Sequence, residues 1–187
     1  MPADTKAVNP TLTTERLTLR ALVPEDADDL LAFRGDPEVQ KYNSKPMANA
    51  SEAERYIKLW NEESVGLKRQ CWGIALRDVG QVVGLVGLGS WSKHDRSATL
   101  GYDLGQAHWG KGFGAEAAET VVRYGFEHMN LHRIEADTIA DNWPSVRLLE
   151  KLGFTREATL RECSLEDDGA FHDSAIYGIL KREFGAS

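Results

Sequence analysis

Leu17 and Leu19 alternate with polar neighbours in Arg16-Leu17-Thr18-Leu19-Arg20, which predicts a short strand. Pro24-Glu25-Asp26 then opens a helix. Its first turn is acidic, as the helix dipole favours, and Ala27, Leu30, Leu31 and Phe33 recur at helical spacing toward a core. Asp36-Pro37 ends it, and residues 42–50 are polar and irregular. A second helix is expected over residues 51–63, with Glu54 placed to complete a capping box with Ser51. Residues 72–76 and 82–88 are apolar runs joined by a turn around Asp78 to Gly80. A third strand over 99–104 follows the polar stretch 92–96, making an antiparallel meander. Beyond a glycine-rich loop, Ala115, Ala118, Val121, Val122 and Phe126 mark another helix. A strand over 133–138, a short helix over 144–152, and strands near 155–165 and 172–180 around Asp167-Asp168-Gly169 complete the chain. Strands first, then β-α-β-α-β-β, predict an α+β fold: a mixed, mostly antiparallel sheet flanked by helices. Residues 1–13 lack periodicity and read as a flexible segment ahead of one domain over 14–187.

Composition narrows the function classes. A chain of 187 residues, 42% hydrophobic, suits one well-buried core rather than two domains. With 22 basic against 29 acidic side chains the net charge is −7, so no basic field points to nucleic acid, while an acidic surface suits a basic substrate. No apolar run reaches a membrane span and Met1-Pro2-Ala3-Asp4 does not begin a signal peptide, so a cytoplasmic protein is expected. Cys71 and Cys163 are too few for a disulfide framework. The histidines 94, 108, 128, 132 and 172 lack zinc-ligand spacing, and no metal is predicted.

The most informative chemistry lies in Trp109-Gly110-Lys111-Gly112-Phe113-Gly114-Ala115, where three alternate glycines precede a helix. Glycine lets backbone approach a ligand closely, and the unpaired N–H groups of a helix start favour an anion. A phosphate-binding P-loop would need a hydroxyl after its lysine. Gly105 to Lys111 has that spacing, but Gly112 follows. A dinucleotide fingerprint would need Gly-x-Gly-x-x-Gly near a first strand, and this spacing is Gly-x-Gly-x-Gly deep in the chain.

The loop resembles the acetyl-CoA pyrophosphate loop of the GNAT superfamily of N-acetyltransferases, [Gln/Arg]-x-x-Gly-x-[Gly/Ala], with Trp109 at the Gln/Arg position. Trp-Gly-Lys-Gly is similar to the branch that acetylates ribosomal-protein N-termini. A second stretch, Asn142-Trp143-Pro144-Ser145-Val146-Arg147-Leu148-Leu149-Glu150-Lys151-Leu152-Gly153-Phe154, resembles that family's Asn-x-x-[Ala/Ser]-x-x-Leu-Tyr-x-Lys-x-Gly-Phe signature. Read without the family, it is a helix capped by Asn142, entered through Pro144 and stopped by Gly153.

The resemblance spans about residues 14–184 and implies a GNAT fold, acetyl-CoA as donor and an amine acceptor: a protein or peptide N-terminus or a small molecule. It also makes a homodimer an expectation. It implies that the strand before the loop parts from its neighbour, so that backbone near Leu104 pairs with the pantetheine arm. Backbone N–H groups of Trp109, Gly110, Lys111, Gly112, Phe113, Gly114 and Ala115 would hold the pyrophosphate, with Asn142 on the CoA arm and Arg147 and Lys151 near the nucleotide phosphates. The family's general acid is a tyrosine, and the matching residue is Leu149, which has no proton to give. Ser145 lies one turn earlier on the same helix face and is the candidate acid, with Tyr177 in reserve. Asp103 or Glu135 is the candidate base, and Asp173 a turn residue or substrate-side acceptor. The alternative is an acyl-CoA-binding regulatory protein that has lost turnover, for which Leu149 is the supporting feature.

Overall fold

The structure, a computed structural model, describes residues 9–43, 45–65, 68–166 and 168–185. Strands β1 (Leu12–Thr13) and β2 (Leu17–Arg20) lead through a 3-10 turn at Pro24–Asp26 into helices α1 (Ala27–Arg34), α2 (Pro37–Gln40) and α3 (Ala50–Val65). Then come β3 (Gln70–Leu76), β4 (Val82–Ser92), β5 (Ser97–Leu104), α4 (Phe113–Glu127), β6 (Arg133–Ile139), α5 (Trp143–Lys151), β7 (Thr155–Leu165) and β8 (Phe171–Leu180). All eight strands form one sheet in the order β1-β2-β3-β4-β5-β6-β8-β7. Every pairing is antiparallel except β5 with β6, so the fold is the expected mixed α+β sheet between helices.

Two apolar layers hold it. On one face α4 and α5 bury Ala117, Val121, Phe126, Val146 and Leu149 against Trp72, Val86, Leu100, Ile134, Tyr177 and Ile179. On the other, α1 and α3 bury Leu30, Phe33, Ile57 and Trp60 against Ala75, Val82 and Leu85. Strand β7 has almost every residue exposed.

Three expectations are corrected. Residues 9–13 are docked, not loose: β1 pairs with β2, Asn9 donates to the Cys71 carbonyl, and Trp72 Nε1 donates to Pro10 O at 2.8 Å. A buried indole N–H needs an acceptor, and this segment supplies it. Residues 1–8 and Asp167 of the last predicted turn lie outside the described residues. The α3 capping box sits two residues earlier than expected. Glu52 N donates to Asn49 Oδ1 at 3.0 Å while Ala48 N donates to Glu52 Oε2 at 2.9 Å, and Ser51 is already inside the helix. Asp36-Pro37 ends α1 but also starts α2, with Asp36 capping Glu38 N at 2.9 Å.

Candidate active site

The sheet opens at its centre. β5 and β6 pair in parallel only through Ser97 to Thr99 with Arg133 to Glu135, while β5 continues to Leu104 against β4. Beyond the Thr99–Glu135 pair the two strands diverge. Gly105 N donates to Val83 O at 2.8 Å. Hydrogen-bonded and non-bonded pairs alternate along an antiparallel ladder. Leu104, opposite Gly84, therefore turns its N–H and C=O toward the gap, and so does Tyr102, two residues back. The Leu104 carbonyl accepts from Trp109 Nε1 at 2.6 Å.

The gap leads to the start of α4. Gly110 and Gly112 have φ of 72° and 82°, values that L side chains resist, and Gly112 is the left-handed N-cap of α4 with no side chain to cap the helix. The N–H groups of the first turn are thereby left facing outward with the positive end of a 15-residue helix behind them. A Cβ on Gly110 would meet nothing within 4 Å. This glycine cradle fits a diphosphate in both charge and room.

A buttress missing from the sequence reading holds the cradle. Arg16 Nε and Nη2 bind Glu116 Oε2 at 2.7 and 2.5 Å, Arg16 Nη1 donates to Lys111 O at 2.9 Å, and the guanidinium stacks 4.6 Å from the centre of the Phe113 ring. Thr14 Oγ1 adds a 2.5 Å bond to Glu116 Oε1. Burial works against the Glu116 charge, but the bonds from Thr14 and Arg16 outweigh it and hold the carboxyl below the usual glutamate range. Gly114 gives α5 its close approach to α4: a Cβ there would lie 3.2 Å from Leu148 Cδ1.

At the start of α5, Asn142 caps as expected, its Oδ1 accepting from Ser145 N at 3.4 Å. Ser145 is half-buried, and its Oγ lies 2.7 Å from the Tyr102 hydroxyl. Leu149 is fully buried, and the side chains of Lys111, Arg147 and Lys151 stand in solvent.

The model of the acetyltransferase (GNAT) domain matches residues 16–155. The chain belongs to the GNAT acetyltransferase family. It is 40% identical over 175 residues to an uncharacterised N-acetyltransferase, p20, of Bacillus licheniformis, covering 93% of this chain and 98% of that one. Over 80 residues, 43% of this chain and 41% of the other, it is 35% identical to the [ribosomal protein uS5]-alanine N-acetyltransferase of Escherichia coli. The ribosomal L7/L12 α-N-protein acetyltransferase RimL, solved in complex with coenzyme A, shares the fold with a TM-score of 0.84 at 15% identity, covering 91% of this chain and 98% of that one. The protein is an acetyl-CoA-dependent N-acetyltransferase, an enzyme and not the alternative regulatory binder.

The carboxylates of the acetyltransferase sort by their partners. Asp103, a candidate base by sequence, is buried, and its two oxygens accept from Arg34 and Asn43. It is tied into an ion pair under α1 and not presented to a substrate. Tyr177, the reserve acid, is fully buried in the core with its hydroxyl 3.4 Å from Glu150 Oε1, and burial raises its pKa. Asp173, expected at a turn, lies inside β8, and its Oδ1 accepts from the N–H of Glu162, a residue at φ 50° in a β7 bulge.

Glu135 stands at the fork of the gap, exposed, its Oε1 accepting from Arg133 Nε at 2.7 Å. Beside it opens a cleft of about 350 Å³ lined by Thr99, Glu135, Asp137, Leu160, Cys163 and Ile176, among others. Asp137, which the sequence reading passed over, lies on the same exposed face of β6 and, among the described residues, forms no ion pair. Period-two alternation in Arg133-Ile134-Glu135-Ala136-Asp137 was the available signal for it. Burial pushes the Cys71 thiol up to about 12, which makes it inert, whereas Cys163 is exposed.

Proposed function

We propose that this acetyltransferase modifies the free α-amine of a peptide or protein chain, in the manner of ribosomal-protein acetyltransferases. The observation that carries this reading is the cleft at the β5–β6 fork. It is open and carries Glu135 and Asp137, which suits a cationic chain end threading in from solvent. The partial likeness to the uS5-alanine enzyme points the same way.

Acetyl-CoA brings an acyl group on a thioester whose sulfur leaves as a thiolate. In our reading the N–H groups of Gly110, Lys111, Gly112, Phe113, Gly114 and Ala115 hold its diphosphate and the Lys111 side chain adds charge; the Trp109 N–H, expected to join them, instead donates to Gln106 O at 3.1 Å. Leu104 backbone and Asn142 bind the pantetheine arm once the Trp109 indole yields the Leu104 carbonyl. Arg147 and Lys151, exposed on α5, meet the outer phosphates. Glu135, at the fork, draws the proton from the incoming ammonium through water, so that nitrogen presents a lone pair. Ser145 donates to the sulfur, assisted by the positive end of α5.

The test offers purified enzyme and acetyl-CoA a set of amines: peptides beginning with Ala or Ser, free amino acids, polyamines and aminoglycosides. Thiol release is followed and products are identified by mass spectrometry. Peptides should be turned over with kcat/KM at least about 10-fold above any small amine, since remote contacts along a chain contribute binding energy. Preference for a small amine would overturn the reading.

A further inference from the structure

Tyr102 and Ser145 come from opposite arms of the opened sheet. Tyr102 lies on β5 three residues past the last β5–β6 pair, and Ser145 is in the first turn of α5, which follows β6. Their hydroxyl oxygens meet at 2.7 Å, so this contact spans the two arms where the strands have parted. The Ser145 amide is also fixed, by Asn142 Oδ1. Nothing in the sequence marks Tyr102: it alternates with Leu100 and Leu104 and reads as core.

We infer that Tyr102 is a positioning residue for acetyl transfer: its hydroxyl donates to Ser145 Oγ and so leaves the serine O–H free to donate toward the departing sulfur. This rests on the reading of Ser145 given above. Either oxygen could donate across the 2.7 Å contact, and the Ser145 carbonyl, 3.5 Å from the phenol oxygen, is the more distant acceptor for the phenol's single proton, so chemistry decides the polarity. A phenol is the stronger hydrogen-bond donor of the two and an aliphatic alcohol oxygen the better acceptor. Burial keeps the phenol protonated, its pKa pushed up to about 12, against the opposing effect of the Ser145 bond.

The atoms balance without ionising Tyr102. The amine nitrogen forms the new C–N bond and the C–S bond breaks, with its electron pair staying on sulfur. The nitrogen sheds two protons: the first, lost by the ammonium to Glu135 through water, passes to solvent, and the second, released once the C–N bond forms, returns through water to Ser145, which has given its hydroxyl proton to the sulfur. While charge builds on Ser145 Oγ, the Tyr102 hydrogen bond spreads it.

Tyr102→Phe, Ser145→Ala and the double variant test this with the best amine from the set above, alongside calorimetric titration of acetyl-CoA. Ser145→Ala should lower kcat roughly 10²-fold or more. Tyr102→Phe should lower it roughly 3- to 10-fold. Both should bind acetyl-CoA within about twofold of wild type, and the double variant should be no slower than Ser145→Ala. Wild-type kcat in Tyr102→Phe beside a slow Ser145→Ala would overturn the inference and leave the serine reading intact. Wild-type kcat in Ser145→Ala would overturn both, and multiplying losses in the double variant would show that Tyr102 does not act through the serine.

A readout independent of turnover is the ¹³Cζ resonance of the tyrosine rings in cofactor-free protein. The chain has five tyrosines, and the signal lost in Tyr102→Phe identifies Tyr102. That signal should shift in Ser145→Ala. Should Tyr102→Phe fail to fold, five unshifted tyrosine signals in Ser145→Ala would overturn the contact by themselves.

Discussion

Gly112 joins backbone conformation to chemistry more directly than any other residue of the loop. At φ 82° it ends the approach from β5 and starts α4, and a Cβ there would come 3.3 Å from Arg16 Nη2, in the buttress itself. Gly112→Val therefore meets two penalties. A β-branched residue resists the left-handed region, and its methyl groups crowd both the guanidinium and the N–H groups that face outward. The core packs elsewhere, on Val121, Val122 and Phe126, so the variant should fold with a modest loss of stability. Its acetyl-CoA affinity should fall at least about 10-fold, the cost of roughly 1.4 kcal/mol of lost contacts. Calorimetric titration of the folded variant measures this, and wild-type affinity would remove the diphosphate from this loop.

Between elements, the contact that matters most joins the β1–β2 connection to α4. Arg16 and Glu116 are 100 residues apart, yet their bonds, with those of Thr14 and the Lys111 carbonyl, tie the connection between β1 and β2 to the loop and its helix. The Glu116 carboxyl titrates below the ordinary glutamate value near 4.3, so its contribution is complete above about pH 4.3 and declines as pH falls through the lower folded value. Glu116→Gln should cost about 1 kcal/mol at neutral pH, since the pair is partly exposed, which corresponds to about 2–4 °C in Tm for a chain this size. The difference between wild type and variant should shrink as pH is lowered from about 5 toward 3. A gap that stays constant over that range would mean that the Glu116 charge does not hold the loop.

Across the whole molecule, α1 and α3 pack on β3 and β4 while the cleft opens along β5, β6, β7 and β8. That leaves Glu135 and Asp137 facing solvent beside the place where the sheet parts. Together with a net charge of −7, they make a field that gathers cations. Asp137→Asn should raise KM for the cationic amine roughly 3- to 10-fold, with kcat and acetyl-CoA affinity near wild type. It should also flatten the rise of KM with salt, because exposed charges beyond about 10 Å are screened at 0.1 M. Steady-state kinetics at two ionic strengths decide it, and an unchanged KM would place the acceptor outside this cleft.

Features written within one element were legible from order alone. The alternation of Leu17 and Leu19, the helical spacing from Ala115, the glycines at 110 and 112 and the cap at Asn142 each depend on neighbours a few residues away, and each forms as read, while Gly114, read as part of the loop, falls in the first turn of α4. The shift of the capping box from Ser51 to Asn49 is a local miss, because Asn49 and Glu52 have the same spacing as Ser51 and Glu54 and both pairs suit a helix start. Only tertiary structure decided where β5 leaves β6, since that is a register between strands about 36 residues apart in the chain, joined by just three pairs. Only tertiary structure divided the carboxylates, tying Asp103 to Arg34 from 69 residues away while Glu135 and Asp137 stayed at the surface. And only tertiary structure set the Tyr102 hydroxyl against Ser145, because a tyrosine alternating with leucines specifies which face its side chain takes but not what its oxygen will reach.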